Sequence, residues 1–321
     1  MSKCLYCYDE IDAHDNPDYH EKCIKAFYGT SFAPVLPYRL EDMEQLAKDA
    51  VELSVSVPGV QAKLSLGWVK TALENGHEGR LTIMDALDGN YILKPQNAQY
   101  KQMPENEHLS MKLAELLKID VVPSNMIRLA SGELCYITKR IDRKKDGNKI
   151  HMIDFLQILE LEDKYLGTME LLGKTIGELS VNTLMDKLRF FELTLFNFII
   201  GNNDMHLKNF SMWLSNVGWE LSPAYDLLNV KIILPKDDED SALLFGGKKK
   251  NFNKIYYDRF GVFLELNEKQ IRSVFKKLEK WLPKAIQLID NSFLNKDAKL
   301  SYKELIKQRT SLFIEIPKQT K

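Results

Sequence analysis

The hydrophobic pattern of this chain changes near Ile141, and that change limits the folds open to it. Before Ile141 come short β-like runs, of which LTIMDAL and NYILKP are joined by Asp88-Gly89, a pair suited to a tight hairpin turn. After Ile141, apolar residues recur with a period near 3.6, which predicts helices. Since 321 residues exceed the length of a typical single domain, we expect two lobes. The prediction is an α+β, bilobal fold with a β-rich N-lobe and an all-helical C-lobe.

Individual elements follow from the same pattern. A strand ending at Lys94 precedes a helix over PENEHLSMKLAELLKI, whose first turn holds Pro104 and acidic residues, as suits the positive end of a helix dipole. Two further strands, NMIRLA and LCYITKR, form a second predicted hairpin. The predicted helices of the second half are HMIDFLQILELED, LMDKLRFFELTLFNFIIG and NEKQIRSVFKKLEKWLPKAIQLIDNSF. The expected divisions are a small appendage at 1–29, the N-lobe at 30–141 and the C-lobe at 142–321.

The composition excludes several classes of protein. Hydrophobic residues make up 45% and charged residues 28%, which is the balance of an ordinary globular protein. The formal net charge of -1 argues against a protein whose main role is coating nucleic acid or an anionic membrane. The longest apolar stretch, Leu184 to Ile200, is interrupted by charged residues and so predicts a buried helix rather than a membrane span. The N-terminus MSKCLYCYDE lacks the apolar run of a secretory signal, and we expect a cytoplasmic protein.

Three of the four cysteines lie within the first 23 residues. Cys4, Cys7, His20 and Cys23 follow the pattern C-x₂-C, a twelve-residue gap and H-x₂-C, which supplies four ligands for tetrahedral zinc. A redox CxxC motif is the alternative, but no βαβ pattern surrounds it and the second pair would have no role. Because four protein ligands leave no open position for catalysis, we expect a structural zinc ion. The fourth cysteine, Cys135, is expected to be a buried apolar residue of a strand.

The polar segment GNNDMHLKNFSM follows the predicted buried helix directly. Its Asp204 and Asn209 are five residues apart, which is the spacing of the protein-kinase catalytic loop, where the aspartate is the base and the asparagine a metal ligand. Asp226 lies seventeen residues beyond Asn209, where a second oxygen ligand for Mg²⁺ is expected. An Asp/Asn pair standing alone more often caps a helix or builds a turn. The kinase interpretation therefore needs further charged residues in the right places.

The first half of the chain supplies them. Lys94 at the end of a strand and Glu107 in the following helix match the lysine and glutamate that kinases pair. Glu105 also lies in the first helical turn, so either glutamate could instead be a dipole-stabilising acid. Upstream, SVSVPGVQAK contains a turn of small residues from Ser56 to Gly59, where main-chain N–H groups, including those of Val57 and Gly59, could reach phosphate oxygens.

Together these segments resemble the HipA-like serine/threonine kinase toxins, and most closely the short HipT-type members. The resemblance extends roughly from Ser54 to the C-terminus. The segments that show it occur in the family's order: SVPGVQAK, YILKP, ENEHLSMKLAELL, TKRIDR, IGNNDMHLKNFS and LSPAYDLL. It implies ATP and Mg²⁺ as cofactors. The implied roles are phosphate contact for Lys94, support of that lysine for Glu107, catalytic base for Asp204, and Mg²⁺ binding for Asn209 and Asp226.

The resemblance also implies regulation and partners. A serine of the phosphate loop can be autophosphorylated in this family, and Ser56, with Ser54 beside it, occupies the corresponding stretch; a phosphate there would repel ATP and eject the loop. The adenine is expected to meet main chain near Tyr136 to Arg140. Known members modify aminoacyl-tRNA synthetases and are restrained by a helix-turn-helix (HTH) DNA-binding antitoxin. Both are implied partners here, with DNA contacted only through the antitoxin.

Some residues depart from ordinary kinases. The chain has no GxGxxG motif and no His-Arg before Asp204, and Leu227-Leu228 follows Asp226 in place of Phe-Gly, which excludes the eukaryotic type. The pattern Asp-x-His-x-x-Asn also resembles lipid kinases of the phosphatidylinositol class. Two alternatives therefore stand beside the protein kinase: a lipid kinase, and a non-catalytic ATP-binding protein that acts through its antitoxin complex.

Overall fold

The computed structural model describes residues 2–12, 16–43, 45, 63–70, 79–83, 89–97, 99–144 and 148–315. The chain divides into two compact units. The first unit comprises Met1–His108, Val122–Ile141 and Asn291–Leu294. The second unit comprises Leu109–Val121, Asp142–Asp290 and Asn295–Lys321.

The first unit is built on a five-stranded antiparallel sheet with the strand order β2-β1-β3-β5-β4. Its strands are β1 Leu64–Lys70, β2 Gly79–Ile83, β3 Tyr91–Lys94, β4 Ser124–Arg128 and β5 Leu134–Lys139. The hairpin predicted from NMIRLA and LCYITKR is confirmed, with Ile127 opposite Cys135. Cys135 is completely buried, as expected, and burial raises the pKa of its thiol to about 12.

The predicted pairing of LTIMDAL with NYILKP is wrong, because β1 lies between β2 and β3 and pairs with both. Gly89, just before β3, has a φ of +88°. A Cβ atom on this residue would lie 2.7 Å from Ser65 Oγ and 2.8 Å from Leu66 O. Glycine therefore allows the chain to enter β3 in close contact with β1.

Two helices begin in the first unit, α1 Glu21–Tyr28 and α2 Met103–Leu117. Helix α1 ends at Gly29, whose φ of +74° is the left-handed conformation that terminates many helices. Helix α2 agrees with the helix predicted to start at Pro104. Its Leu109, Leu113 and Ala114 are completely buried and lie at the spacing of one apolar helix face.

The second unit is mainly helical and has an aromatic core. Its helices are α3 Phe155–Ile158, α4 Met169–Leu179, α5 Thr183–Ile200, α6 Lys254–Phe263, α7 Glu268–Asn291 and α8 Lys296–Thr310. Helix α5 is the predicted buried helix, and its Phe190 and Phe191 are completely buried. Phe190 packs edge-on against Phe260 of α6 with 5.9 Å between ring centroids. None of the helices in the described part of the chain has the length and apolar character needed to cross a bilayer.

The expectation of an all-helical second half needs one correction, because this unit also contains a three-stranded sheet. Its strands are β6 Met152–Asp154, β7 Ser211–Leu214 and β8 Trp219–Leu221, in the order β6-β7-β8. The segment HMIDFLQILELED was predicted to be one helix, but its start pairs with β7 and only Phe155–Ile158 is helical. Asp154 starts that short helix with a capping box, in which its side chain accepts the N–H of Gln157.

Candidate active site and metal-binding cluster

Lys94 ends strand β3, and Glu107 lies one turn inside helix α2. The Nζ atom of Lys94 lies 2.6 Å from Oε1 of Glu107, and the two side chains are only 6% and 3% exposed. Burying two charges costs several kcal/mol per ion, so such a pair adds little to stability even when its geometry is good. A role in binding or catalysis explains the buried pair better than a role in folding does.

Glu105, the rival candidate from the sequence, has a different partner. Its two carboxylate oxygens accept hydrogen bonds from Nε2 of Gln96 at 3.1 and 2.9 Å. Burial raises the pKa of the Glu105 carboxyl above its usual value. Of the two glutamates, Glu107 is the one that contacts Lys94.

The segment expected to meet adenine begins beside the lysine. Tyr136 of β5 lies opposite Lys94 of β3, and the lysine Nζ is 5.4 Å from the centroid of the tyrosine ring. From Tyr136 to Thr138, β5 pairs with β3 on one side and β4 on the other, so its main-chain groups there bond to neighbouring strands. The N–H of Arg140 donates to Asn90 O at 2.8 Å. The expected contact of this main chain with adenine stays a prediction.

In the second unit, the polar loop starts where helix α5 ends, at Gly201. The φ of Gly201 is +77°, and its N–H donates to Asn197 O and Phe198 O. A Cβ atom on this residue would lie 2.6 Å from Leu305 Cδ2 and 3.1 Å from Asn229 Oδ1. The left-handed turn leads the chain sharply out of the helix, and a larger residue here would be strained and would displace the Leu305 side chain. This helix end fixes where the following loop begins.

Asp204 and Asn209 are joined by hydrogen bonds within that loop. Nδ2 of Asn209 donates to the main-chain oxygen of Asp204 at 3.0 Å, and the N–H of His206 donates to the same oxygen at 2.9 Å. Since the amide nitrogen of the buried Asn209 is used in this way, its Oδ1 is the atom with which it can bind a cation. Asp204 is partly exposed, as a base acting on a substrate hydroxyl must be.

Asp226 follows β8 with a left-handed backbone, at a φ of +57°. Aspartate adopts this conformation more readily than most residues do, and left-handed residues other than glycine are concentrated at turns and functional sites. The hydroxyl of the preceding Tyr225 donates to Lys208 O at 3.0 Å and bonds to Ser211 Oγ at 2.5 Å. Because Lys208 and Ser211 flank Asn209, Tyr225 connects the segment of Asp226 to the segment of the predicted metal ligand.

Two tyrosines of this region were not expected from the sequence. Tyr225 stands in the segment LSPAYDLL, where the sequence gives no sign of its contacts, and burial raises the pKa of its hydroxyl, which keeps it protonated as a donor. The hydroxyl of Tyr165 donates to Oδ1 of Asp204 at 3.4 Å, and its ring packs edge-on against His206. The hydrophobic period around Tyr165 gives no sign of this contact. The remaining predicted residues, Ser54, Ser56, Val57 and Gly59, lie outside the described residues.

The four predicted zinc ligands come together in the first unit. The ligand atoms of Cys4, Cys7, His20 and Cys23 all lie within 4.8 Å of one another, and the Sγ atoms of Cys7 and Cys23 are 3.5 and 3.9 Å from His20 Nδ1. Zinc bonds of about 2.3 Å to sulfur and about 2.0 Å to nitrogen set tetrahedral ligands roughly 3.5 Å apart. His20 Nε2 donates to Glu10 O at 2.9 Å, which leaves the lone pair of Nδ1 facing the thiols. The geometry and the donor set fit zinc.

Comparison with known proteins identifies the family of the chain. The model of the HipA-like C-terminal domain matches residues 55–286. A candidate kinase of Haemophilus influenzae is 27% identical over 287 residues, which cover 80% of this chain and 78% of that protein. The candidate kinase Y4dM of Sinorhizobium fredii is 31% identical over 268 residues, covering 74% and 63% of the two chains. The serine/threonine-protein kinase toxin HipA of Shewanella oneidensis is 26% identical over 261 residues, covering 72% and 56%. The match thus spans less than two thirds of the last two proteins.

Solved structures show the same fold. A chain of the Shewanella oneidensis complex of HipA, HipB and operator DNA matches with a TM-score of 0.69 at 19% identity, covering 88% of this chain and 75% of that one. The proinflammatory kinase CtkA of Helicobacter pylori matches with a TM-score of 0.51 at 15% identity, covering 70% and 87%. These likenesses confirm the α+β, kinase-like fold expected from the sequence. With the family model matching most of its length, the chain belongs to the HipA-like family.

Proposed function

We propose that the chain is an ATP- and Mg²⁺-dependent serine/threonine protein kinase. The observation that carries the proposal is the buried contact between Lys94 and Glu107. Burying two ions costs free energy, and a role in phosphate binding explains why the chain keeps the pair. The hydrogen-bonded loops that carry Asp204, Asn209 and Asp226 supply the other side chains that phosphoryl transfer needs. The kinases among its relatives support the same reaction class.

Each side chain has a distinct task, because positioning and charge stabilisation dominate phosphoryl transfer. Glu107 holds the Lys94 ammonium in place for the nonreacting phosphates of ATP. Asp204 orients the substrate hydroxyl and accepts its proton as the new O–P bond forms and ADP leaves. Asn209 Oδ1 and the Asp226 carboxylate are hard oxygen donors of the type that Mg²⁺ prefers, and they would hold it. Mg²⁺ held there would neutralise charge on the phosphates.

The test uses the purified full chain with Mg²⁺ and γ-labelled ATP. Asp204→Asn keeps the shape of the side chain but removes the base, and transfer should fall about 10²- to 10⁴-fold. Lys254→Met is the control, because the pair of Lys254 with Asp258 is exposed and this variant should transfer phosphate like the wild type. Undiminished transfer by Asp204→Asn would remove the assigned base. Nucleotide binding without transfer by the wild type would favour the non-catalytic alternative, and labelling of lipid alone would favour a lipid kinase.

We further propose that this kinase is the toxin of a cytoplasmic toxin–antitoxin system. The support is the similarity to the Shewanella toxin HipA and the fold match to a chain of the HipA, HipB and operator DNA complex. The proposed partners are an HTH antitoxin, through which DNA is contacted indirectly, and a substrate protein such as an aminoacyl-tRNA synthetase. Expression should arrest growth, and arrest should require Asp204. Arrest that persists in Asp204→Asn would contradict a toxic kinase activity.

Regulation by autophosphorylation is part of the same proposal. Ser56 or Ser54 would receive a phosphate that then excludes ATP from its own site. Mass spectrometry of the wild type after incubation with ATP should find the modification on one of these serines, and Asp204→Asn should lack it. A wild type that transfers phosphate to other proteins while both serines stay unmodified would contradict this step.

A structural zinc ion in the cluster of Cys4, Cys7, His20 and Cys23 completes the proposed cofactors. The convergence of the four ligand atoms and the hydrogen bond from His20 to Glu10 support it. Native mass spectrometry should find one zinc ion per chain, and Cys23→Ser should lower the zinc affinity steeply. A chain purified without chelators that holds no metal, even after zinc is added, would contradict the site.

A further inference from the structure

The cysteine and histidine cluster lies outside the family match at 55–286, and the chemistry of phosphoryl transfer gives it no task. We call the segment that contains it, residues 2–12 and 16–29, the metal module. Its one helix, α1, has eight residues. A segment this short buries too little apolar surface to become ordered by itself, and a metal commonly supplies the missing stability. The position of its side chains is therefore expected to depend on the metal.

One side chain of the metal module contacts helix α2 beside Glu107. Tyr8 directly follows the ligand Cys7, and its hydroxyl lies 2.8 Å from Nδ1 of His108. The rings of Tyr8 and His108 also pack edge to face, with 5.3 Å between centroids. His108 is completely buried and is the next residue after Glu107. The contact thus holds the turn of α2 from which Glu107 reaches Lys94.

The backbone of Tyr8 shows how this contact depends on the cluster. Tyr8 has a left-handed φ of +69°, which a residue with a side chain adopts only under constraint. The constraint is the tight turn in which the N–H of Tyr8 donates to Cys4 O at 2.9 Å. Cys4 and Cys7 are two of the four clustered ligands, so a metal that binds both thiols closes this turn and fixes the direction of Tyr8.

A second side chain contacts the sheet in line with Lys94. Tyr19 directly precedes the ligand His20, and its buried hydroxyl donates to Met126 O at 2.6 Å. Met126 of β4 lies opposite Tyr136 of β5, and Tyr136 lies opposite Lys94 of β3. The main-chain oxygen that Tyr19 binds therefore belongs to the row of paired residues, Met126, Tyr136 and Lys94, that runs across the sheet.

Helix α1 adds apolar contacts to the same strands. The ring of Phe27 lies 6.0 Å from that of Tyr91, the first residue of β3, and the Nζ of Lys139 lies 5.4 Å from the centroid of Phe27. Phe27 follows the ligand Cys23 by one helical turn. Tyr8, next to the ligand Cys7, thus packs on α2, which carries Glu107. Phe27, one turn after the ligand Cys23, packs on β3, which carries Lys94.

We infer that the metal module is a metal-dependent clamp that positions the Lys94–Glu107 pair, so that zinc binding and nucleotide binding strengthen each other. The inference rests on the proposed ATP binding at Lys94. Tyr8 is the positioning residue on the glutamate side, and Tyr19 is the one on the lysine side. Loss of the metal releases the hydroxyl contacts of both tyrosines. The Lys94–Glu107 pair then adopts its nucleotide-binding arrangement in a smaller fraction of molecules. The apparent affinity for nucleotide falls in proportion to that fraction.

Thermodynamic reciprocity provides the first test. Zinc affinity of the full chain is measured by competition with a chromophoric chelator, in the presence and absence of Mg²⁺ with an ATP analogue whose γ-phosphate cannot be transferred. Nucleotide affinity is measured with and without zinc. The two affinities should rise by the same factor, at least about fivefold, since linkage between binding sites is symmetric. Zinc and nucleotide that bind without affecting each other would overturn the clamp.

A second test covers the case in which the zinc-free chain unfolds. Tyr8→Phe keeps all four ligands and the packed ring but removes the hydroxyl that meets His108, so it should retain one zinc ion and bind the analogue about fivefold more weakly. The control Lys254→Met removes the exposed ion pair with Asp258 in α6, far from the metal module in the chain, and should bind like the wild type. Wild-type affinity in Tyr8→Phe overturns the inference. A zinc-loaded wild type with no nucleotide affinity would instead refute the proposed kinase function on which the inference rests.

Discussion

Removing Lys94 from its buried pair should destabilise the chain far more than removing an exposed lysine. At the observed 2.6 Å and an effective dielectric constant of about 20, the Coulomb attraction between the two ions is about 6 kcal/mol. The cost of taking both ions out of water offsets most of that, so the pair contributes little net stability. Lys94→Met leaves the buried carboxylate of Glu107 without this cation, and the free energy of unfolding should fall by about 3–5 kcal/mol.

The double variant Lys94→Met, Glu107→Leu separates stability from function. With both charges replaced by apolar groups of similar size, most of the lost stability should return, because a buried ion pair replaced by apolar side chains is often neutral or stabilising. Nucleotide binding and phosphoryl transfer should nevertheless stay absent, since the cation for the phosphates is gone. The recovery of folding without activity is the specific signature of a pair retained for function.

Urea titration followed by circular dichroism gives the free energies, and analogue binding gives the functional readout. Lys254→Met serves again as the control and should change the free energy of unfolding by at most about 1 kcal/mol, because its ion pair is exposed. The reasoning would be refuted by a single Lys94→Met variant as stable as this control. It would equally be refuted by a double variant that regains nucleotide binding.

Three further changes probe the rest of the site. Gly201→Ala should destabilise the second unit by about 1–3 kcal/mol and lower kcat, because its φ is +77° and the added Cβ would meet Leu305 at 2.6 Å; wild-type urea midpoint and kcat would contradict this. Tyr225→Phe should raise the Mg²⁺ concentration needed for half-maximal transfer severalfold, since the contacts with Lys208 O and Ser211 are lost; an unchanged Mg²⁺ titration would show that the hydroxyl is dispensable. Glu105→Gln should stabilise the chain at pH 8. Burial raises the pKa of Glu105, so above that pKa the ionised carboxylate destabilises the folded chain. The stability advantage of glutamine should vanish as the pH falls and the carboxyl becomes protonated. An advantage that grows toward low pH would show that burial does not raise this pKa.

The hydrophobic pattern of the sequence was sufficient to locate the helices and strands that carry most of the proposed site. Lys94 at a strand end and Asp204 after a buried helix could be located because hydrophobic periodicity defines where those elements stop. The same pattern could not choose between Glu105 and Glu107, which share the first turns of α2. In the folded chain the side chain of Gln96 donates a hydrogen bond to Glu105, and Lys94 forms its ion pair with Glu107.

Contacts between distant segments account for what the sequence did not show. Strand β6 was predicted as a helix because its apolar residues fit a period of 3.6, but pairing with β7 supplies the backbone hydrogen bonds there. The hydrogen bonds of Tyr8 and Tyr225 are made with partners that only the folded chain brings near, His108 and Lys208. A tyrosine in a sequence carries no signal of which main-chain or side-chain atom its hydroxyl will meet.

The most direct test of the central claim is the labelling of a cell lysate by the purified, zinc-loaded chain with Mg²⁺ and γ-labelled ATP, followed by mass spectrometry of the labelled species. We expect phosphoserine or phosphothreonine on one or a few proteins, dependent on Mg²⁺ and absent with Asp204→Asn. Label found only in lipid, or no label at all from a chain that binds the nucleotide, would contradict it.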